Sequence, residues 1–364
     1  MKIIYVDPMS ENSLENYDKN LLSNLSNEEV IYFCSKNIET KSIKNTTIIK
    51  IYNYKNKNLI LKLISYIISQ LRLFKYILGE DIKILHFQWI KLYWFDYILF
   101  LVLLKNIKNI KIILTAHNVL PHDSGKKFYN IHKKIYKCLD GIIVHNIKTK
   151  RELVSEFGIE SNKISVIQHG VLDHFEIENK ELKSREKIVF GLIGNLQEYK
   201  GVDILLEAWQ DKEILDNTEI ELIIAGKKEI ELSYPRNKNI ILIDRFLEKT
   251  EFEEIIREID IFVFPYRKIS QSGVLLSILR YHKPIIVSNI GGLTEVFDIG
   301  KIGWILKENT KEELRKVIKS IIKNKEEVSE IKENHDLWKK IEKHYSWEKI
   351  GEKTEKFYIK IIQK

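Results

Sequence analysis

Two stretches in the second half of the chain place glycine or lysine in front of an apolar helical pattern. Lys200 and Gly201 precede the run VDILLEAW, and Gly273 opens a second helical pattern within RKISQSGVLLSILRYHKP, residues 267–284. Bare backbone amides at a helix N-terminus attract anions, glycine lets a bulky anion approach them, and a nearby lysine can pair with phosphate oxygens. The two stretches predict a phosphate site. An ordinary capped helix behind a strand is the alternative for the second stretch.

Histidine and tryptophan side chains stand at or near the ends of strand-like runs in the first half. His117 follows the strand in KIILTAHN, residues 111–118, and HFQW covers residues 86–89. A histidine at a strand end can contact a ligand, or it can satisfy nearby backbone groups. Placement alone favours the second role for His117. The further residues that could line the same crevice are His86, Trp89, Asn118, His122, His145 and His169.

Short β-rich runs alternate with helical periods along the whole chain, which predicts parallel sheets covered by helices. The fold class is therefore α/β, with two doubly wound, Rossmann-like domains facing a central cleft. We predict an N-terminal domain over 1–172, a linker over 173–186 and a C-terminal domain over 187–340. A last helix over 341–364 is expected to pack back on the N-terminal domain.

Composition excludes several classes of protein. The chain has 364 residues, of which 44% are hydrophobic and 30% charged, and only 5 are proline, so extended disorder is not expected. Its two cysteines cannot build a disulfide framework, which fits a reducing compartment such as the cytoplasm. We find no signal peptide pattern at the start. The longest apolar run, residues 92–104, is too short to cross a bilayer and is predicted to be a buried helix.

The positive charge is concentrated in one region. Residues 41–150 hold 20 basic and 5 acidic side chains, a net charge of +15. The same region contains NLILKLISYIISQLRLFKYILG, residues 58–79, with an amphipathic helical pattern. Together these features predict docking on an anionic membrane surface, although a core helix with solvated basic residues is the alternative. No nucleic-acid-binding motif accompanies the charge, so nucleic acid is not an expected partner.

Three motifs in order carry a family resemblance. They are ILTAHNVLPHD in the first half, then GNLQEYKGVDILLEA and FVFPYRKISQSGVLLSILRYHKPIIVSNIGGLTEV. This set resembles the retaining glycosyltransferases of the GT-B fold, family 4 type. The resemblance implies a C-terminal domain that binds a nucleotide-diphosphate sugar and an N-terminal domain that binds the acceptor. It also implies that His117 lies near the donor sugar and the reacting centre, which makes it the catalytic candidate.

Transferred residue by residue, the resemblance assigns most of the donor site. Lys200 corresponds to the diphosphate lysine, and the amides of Gly273 and Val274 to the phosphate-binding helix start. The remaining donor candidates are Gly194, Arg267 and Ser272 for the diphosphate, and Gln197, Ser277 and Glu295 for the nucleotide or ribose.

The sequence departs from the family pattern at two points. Gln197 stands where an arginine is common, so Arg267 or Lys268 is expected to supply the missing charge. Ile269 and Ser277 occupy the places of a frequent glutamate pair, and Glu295 is the nearest acidic replacement.

The reaction that the resemblance implies is a retaining hexosyl transfer that needs no metal and no cofactor. The donor is expected to be a UDP- or GDP-sugar. The acceptor is expected to be a glycan or a polyprenyl-diphosphate-linked glycan, at the cytoplasmic face of the membrane, in bacterial surface-polysaccharide assembly. Two alternatives remain: a GT-B epimerase or hydrolase of nucleotide sugars, and a noncatalytic basic scaffold that binds anionic polymers.

Overall fold

The computed structural model describes residues 1–11, 13–53, 58–120, 127–171, 187–232, 237–269 and 272–364. The chain forms two compact units. The first unit comprises Met1–Gly170 together with Tyr345–Lys364, and the second comprises Val171–His344. The predicted linker 173–186 lies outside the described residues.

A parallel sheet of seven strands forms the centre of the first unit, in the order β3-β2-β1-β4-β5-β6-β7. These strands are rich in isoleucine and valine because helices on both faces leave few positions for polar side chains. The strand bounds are β1 Lys2–Val6, β2 Glu29–Ser35, β3 Thr46–Tyr52, β4 Ile84–Phe87, β5 Lys111–Thr115, β6 Gly141–Val144 and β7 Ile164–Val166. The doubly wound fold predicted for this half is confirmed.

The helices of the first unit follow its strands closely along the chain. They are α1 Ser13–Ser23, α2 Leu59–Gly79, α3 Tyr93–Asp96, α4 Lys105–Ile107, α5 Tyr129–Cys138 and α6 Ile147–Ser155, and a π-helical segment, Tyr97–Leu104, joins α3 to α4. The prediction that residues 92–104 form a buried helix is wrong in part. Trp94 is 54% exposed, Ile98 50% and Leu103 46%, because only one side of this helix packs on the sheet.

The second unit is built on a parallel sheet of six strands, in the order β10-β9-β8-β11-β12-β13. Its strands are β8 Ile188–Ile193, β9 Ile220–Ala225, β10 Ile240–Ile243, β11 Ile261–Phe264, β12 Ile285–Ser288 and β13 Gly303–Leu306. Its helices are α7 Val202–Trp209, α8 Lys212–Leu215, α9 Lys249–Glu258, α10 Gly273–Ile278, α11 Lys311–Lys323, α12 Glu326–Glu333 and α13 His335–His344. The sequence analysis missed β13, a strand of only four residues at the edge of the sheet.

The last helix, α14 (Trp347–Ile362), belongs to the first unit, which confirms that the C-terminal segment packs on the N-terminal domain. Its inner face is apolar at helical spacing, and Ile350 and Tyr358 are fully buried. Its contact with the sheet is close. A Cβ atom on Gly141, the first residue of β6, would lie 2.9 Å from the ring of Phe357.

Candidate active site

In the second unit, the loop after β8 brings Gly194 against the ammonium group of Lys200. Gly194 has φ +94°, which favours glycine, and a Cβ atom there would lie 2.9 Å from Lys200 Nζ and 3.3 Å from Val274 Cγ2. The structure therefore brings together three of the residues predicted to hold a diphosphate. β8 lies between β9 and β11, where the strand order reverses. Open α/β sheets bind ligands at that position.

Two further glycines keep this loop narrow. Gly201 has φ +64°, and a Cβ atom on it would lie 2.0 Å from the carbonyl oxygen of Pro265. Gly226, at the end of β9, would place a Cβ atom 2.3 Å from the carbonyl oxygen of Gly194. The sequence analysis did not single out Gly226, since its contact depends on the pairing of β8 with β9.

Lys200 is a buried cation. Burial lowers its pKa to about 8, and Glu229 opposes this shift weakly. Its Nζ lies 3.4 Å from the carbonyl oxygen of Ile193 and 5.9 Å from the centre of the Tyr266 ring. A buried ammonium with so little compensation favours an anionic ligand, because a ligand's negative charge offsets the cost of desolvation.

The start of α10 is both a capped helix and an open set of amides. The Ser272 hydroxyl accepts a hydrogen bond from the Leu275 amide at 3.2 Å, so the capping interpretation is correct for this side chain. In the first backbone hydrogen bond of the helix, the Leu276 amide donates to the Ser272 carbonyl oxygen at 3.2 Å. The amides of Gly273 and Val274 precede that bond, and Gly273 is exposed.

Other predicted donor residues have protein partners. The Arg267 guanidinium pairs with the Asp203 carboxylate and donates to the Glu198 carbonyl at 2.7 Å, and the Gln197 amide donates to Glu229 at 2.6 Å. Asp203 thus offsets the positive charge that Arg267 would offer to a diphosphate, so the donor role of Arg267 stays a prediction.

The remaining nucleotide candidates lie on or after α10. Ser277 is buried inside the helix, and its hydroxyl donates to the Gly273 carbonyl at 2.9 Å, so its side chain is directed to its own helix. Glu295 is partly buried and begins a short 3₁₀ turn, Glu295–Asp298. The nucleotide roles of Ser277 and Glu295 stay predictions.

In the first unit, three predicted histidines meet beyond the ends of β5, β6 and β7. The rings of His117 and His145 lie 4.9 Å apart, and those of His145 and His169 lie 5.7 Å apart. The rings of Tyr17, from α1, and Trp347, from α14, complete this cluster. Tyr17 lies 4.7 Å from His169, and Trp347 lies 5.5 Å from His169.

Hydrogen bonds determine where the protons of His117 and His145 lie. His145 Nδ1 is 2.9 Å from the Ile167 carbonyl oxygen, so this nitrogen carries the proton. His145 Nε2 then accepts from His117 Nδ1 at 3.1 Å, which leaves the lone pair of a neutral His117 on Nε2. That atom lies 2.9 Å from the Gln88 side-chain amide oxygen. Two acceptors cannot bond, so a neutral pair requires the Gln88 amide to turn its nitrogen toward His117.

The neutral state is the one that burial favours. Desolvation is the largest cause of the lowered pKa of both rings, to about 4 for His145 and well below the usual range for His117. In this state both nitrogens of His117 are engaged by the protein. The ring therefore contributes shape and polarity to a ligand rather than a mobile proton.

His86 is not the cleft-lining residue that we predicted. It is fully buried, with Nδ1 2.6 Å from the Tyr358 hydroxyl and Nε2 2.8 Å from Thr115 Oγ1. Burial lowers its pKa to about 3. The reason is its position inside β4, where it pairs with Ile113 of β5 rather than following the strand.

Trp89 and Asn118 line a cavity of 210 Å³ beside His117. The Trp89 ring stacks on that of His117 at a centroid distance of 4.8 Å. Its indole Nε1 is buried and meets no acceptor in the described part of the chain. A buried donor of this kind suits a ligand oxygen. His122 lies outside the described residues.

The sequence analysis missed the buried carboxyl groups near β1. Asp18 accepts hydrogen bonds from the hydroxyls of Tyr5 and Tyr32, at 2.7 and 2.6 Å, and burial raises its pKa well above the usual range. Burial also raises the pKa of Asp7, immediately after β1, to about 6. The one sequence signal for this position is the pair Asp7-Pro8, which directly follows an apolar strand.

Comparisons with known proteins place both halves of the chain in glycosyltransferase families. Residues 15–173 match the family described as Glycosyltransferase Family 4, and residues 173–338 match Glycosyl transferases group 1. The chain is a GT-B glycosyltransferase of the family 4 type. Two uncharacterized glycosyltransferases of Methanocaldococcus jannaschii resemble this glycosyltransferase. One is 29% identical over 93% of this chain and 92% of its own length. The other is 26% identical over 65% of this chain and 62% of its own length.

Solved structures show the same fold for this glycosyltransferase. Sucrose-phosphate synthase from Thermosynechococcus elongatus superposes with a TM-score of 0.73 at 15% identity, over 100% of this chain and 99% of that one. Anabaena HepE in complex with UDP and glucose superposes with a TM-score of 0.69 at 12% identity, over 98% of each chain. Within the described ranges, no helix combines the length and the hydropathy that crossing a membrane requires.

Proposed function

We propose that this glycosyltransferase moves a hexosyl group from a UDP- or GDP-sugar to a glycan or lipid-linked glycan, with retention at the anomeric carbon and without a metal or cofactor. The donor assignment draws support from Anabaena HepE, whose structures hold UDP, UDP with glucose, and UDP-glucose. The proposed setting is the assembly of a cell-surface polysaccharide.

One observation carries the donor assignment. The buried Lys200 ammonium lies against Gly194, near Val274 at the start of α10, and Glu229 is the one charged group that favours its charged form among the described residues. The diphosphate of a nucleotide sugar supplies further negative charge. When its bond to the sugar breaks, the negative charge on the diphosphate increases. Groups that bind the developing charge more strongly than the ground state accelerate the reaction.

The proposed reaction is balanced without a protein base. The bond between the anomeric carbon and the diphosphate oxygen breaks, and a bond to the acceptor oxygen forms on the same face. The acceptor proton passes to the departing diphosphate. His117 has no role in moving that proton, since Gln88 and His145 occupy both its nitrogens. It is assigned to holding the sugar.

The transferase assignment is tested by products. The protein is first screened by thermal shift against UDP, GDP, ADP and CMP, and then incubated with the matching radiolabelled sugar nucleotide and membrane-extracted lipids. We expect labelled glycolipid or glycan. Release of free sugar alone, or of an epimerised nucleotide sugar, would replace the proposal by the hydrolase or epimerase alternative.

The membrane part of the proposal depends on the unusual polarity of α2. Its buried side carries polar groups: the Gln70 amide donates to the Tyr66 hydroxyl at 2.6 Å and to Asp96 at 3.0 Å. Its outer side exposes eight large apolar residues, Leu59, Ile60, Leu61, Leu63, Ile64, Ile68, Leu71 and Leu78. Exposed apolar area of this extent marks an interaction surface.

Basic residues on the same helix favour a lipid partner for that surface. Lys62, Arg72 and Lys75 lie among the exposed leucines and isoleucines, and no acidic residue occurs within α2. Apolar burial combined with positive charge is what interfacial helices use on anionic membranes. We therefore place the acceptor reaction at the cytoplasmic face of such a membrane.

Sedimentation with vesicles tests the docking with a matched pair of variants. Ile64 on α2 is 47% exposed and Ile359 on α14 is 48% exposed. Ile64→Glu is expected to weaken binding to phosphatidylglycerol vesicles by about tenfold or more, and Ile359→Glu to leave it unchanged. Binding of the wild type should fall with salt. Equal binding to phosphatidylcholine vesicles, or equal effects of both substitutions, would contradict the docking.

A further inference from the structure

An apolar groove of 570 Å³ lies on the first unit, among α2 and the segments that follow β1 and β4. Its apolar walls include Met9, Leu14, Leu63 and Leu92. Leu63 also belongs to the exposed face of α2. The groove therefore continues onto the surface that we assign to the membrane, and its walls suit a hydrocarbon chain.

Two cations line the same groove. Lys62 comes from the first turns of α2, and Lys91 from the segment after β4. Glu11 is the one acid among the residues that line it, and its Oε1 accepts hydrogen bonds from the Ser35 hydroxyl at 2.7 Å and the Asn37 amide at 2.8 Å. The Glu11 charge is thus stabilised by other groups, and two cations and one carboxylate line the groove.

Lys91 stands where the groove meets the candidate acceptor site. It also lines the 210 Å³ cavity that contains His117 and the unpaired indole nitrogen of Trp89. The Asp96 carboxylate holds this segment in place, because it accepts from the amides of Lys91 at 3.2 Å and Leu92 at 3.0 Å. These hydrogen bonds fix the backbone of Lys91. Its side chain therefore lies between the apolar groove and the polar cavity.

We propose that this groove binds an amphipathic lipid phosphate, with its phosphate between Lys62 and Lys91 and its hydrocarbon chain along Leu63 and Leu92. The saccharide on the phosphate extends into the cavity of Trp89 and His117. The acceptor is then a lipid-linked sugar phosphate rather than a free glycan. This inference rests on the proposed transferase function and specifies its acceptor class.

Binding of farnesyl monophosphate below its micelle concentration tests the groove directly. Isothermal titration should show saturable binding, and farnesol and inorganic phosphate should each bind at least about tenfold more weakly, since each lacks one of the two recognised parts. Lys62→Gln and Lys91→Gln should each weaken farnesyl phosphate binding by about tenfold, the usual effect of losing a charge-assisted contact. Lys44→Gln, at an exposed lysine outside the groove, should not.

Nucleotide binding separates the two levels of the proposal. The lysine variants should bind the nucleoside diphosphate as the wild type does, because its candidate site lies in the other unit. If farnesol binds as tightly as farnesyl phosphate, or if both lysine variants bind normally, the groove does not recognise a lipid phosphate. If nucleotide binds and sugar passes to a free glycan while farnesyl phosphate fails to bind, this inference is wrong and the transferase function stands.

Discussion

The two sheets end in loops of opposite chemical character. The loops of the second unit combine backbone amides and close-packed glycines with the buried cation Lys200. The loops of the first unit are crowded with neutral imidazole and aromatic rings, in which His117 lies between Trp89 and His145. The same doubly wound architecture thus holds a buried cation in one unit and a cluster of neutral rings around His117 in the other.

This difference indicates how the work is divided. A site that stabilises a growing negative charge needs a cation that is costly to bury alone, and Lys200 meets that description. A site that holds a sugar beside a cationic transition state is better uncharged, because an imidazolium there would repel it. The burial that keeps His117 neutral serves that requirement.

Loss of Lys200 should have the largest effect on transfer. Removing one charge-assisted contact to the leaving diphosphate costs about 3 kcal/mol or more, so Lys200→Ala should lower kcat/KM by at least about a hundredfold. Circular dichroism should show that the variant is folded. Lys212→Ala, at an exposed lysine of the same unit, is the control. Unchanged rate and donor affinity in Lys200→Ala would remove the diphosphate assignment and with it the contrast between the units.

His117→Ala should impair turnover about tenfold, because it removes a neutral polar contact to the sugar. Binding of the free nucleoside diphosphate should remain close to that of the wild type, as measured by calorimetry. A large loss of nucleotide affinity would mean that the two sites do not divide the substrate as we infer.

Lys200→Met should stabilise the second unit at pH 7. The folded pKa of about 8 lies below the unfolded value of 10.5, so the folded state is penalised while Lys200 is charged. The variant should gain up to about 3 kcal/mol in free energy of unfolding at pH 7, from about 1.4 kcal/mol per pKa unit. As the pH rises from 8 toward 10.5, the difference in free energy of unfolding between the variant and the wild type should shrink. Urea titrations at several pH values can measure this difference. A variant that is less stable at pH 7 would show that Lys200 supports the fold.

The smallest effect is a proton taken up with the nucleotide. At pH 8 about half of the Lys200 side chains are neutral in the free protein, and a bound diphosphate should favour the charged form. Calorimetry in buffers of different ionisation enthalpy should then report an uptake of up to about half a proton, absent in Lys200→Met. If the binding enthalpy of the wild type is the same in all buffers, the diphosphate does not bind beside the Lys200 ammonium.

Local signals made the approach of Lys200 to the start of α10 predictable. Lys200 and Gly273 each stand in a strand, loop and helix pattern that can be found within about twenty residues, and the structure joins them because β8 and β11 are neighbours. Gly226 lacked such a signal. Its effect comes from a close approach to Gly194 across the sheet, which no single segment reveals.

The first unit was harder to predict because one or two positions separate a lining residue from a core residue. His86 is the third of the four residues of β4 and is buried, whereas Trp89 lies two residues past the strand and reaches the cavity. The apolar pattern of α2 likewise indicated a helix without indicating which side is covered. The contacts in the folded protein show that the side with Tyr66 and Gln70 faces inward, since both donate hydrogen bonds to Asp96.

The contribution of α14 to the first unit has a consequence for synthesis on the ribosome. Trp347, Ile350 and Tyr358 belong to the same apolar cluster as residues of β1 and β2, yet the whole second unit is translated between them. The second unit is continuous in the chain and can fold as it emerges. The N-terminal segment must wait, with part of its sheet uncovered, until the α14 segment has left the exit tunnel. The unit that is made first is therefore completed last, against the usual order in which domains fold as they are synthesised.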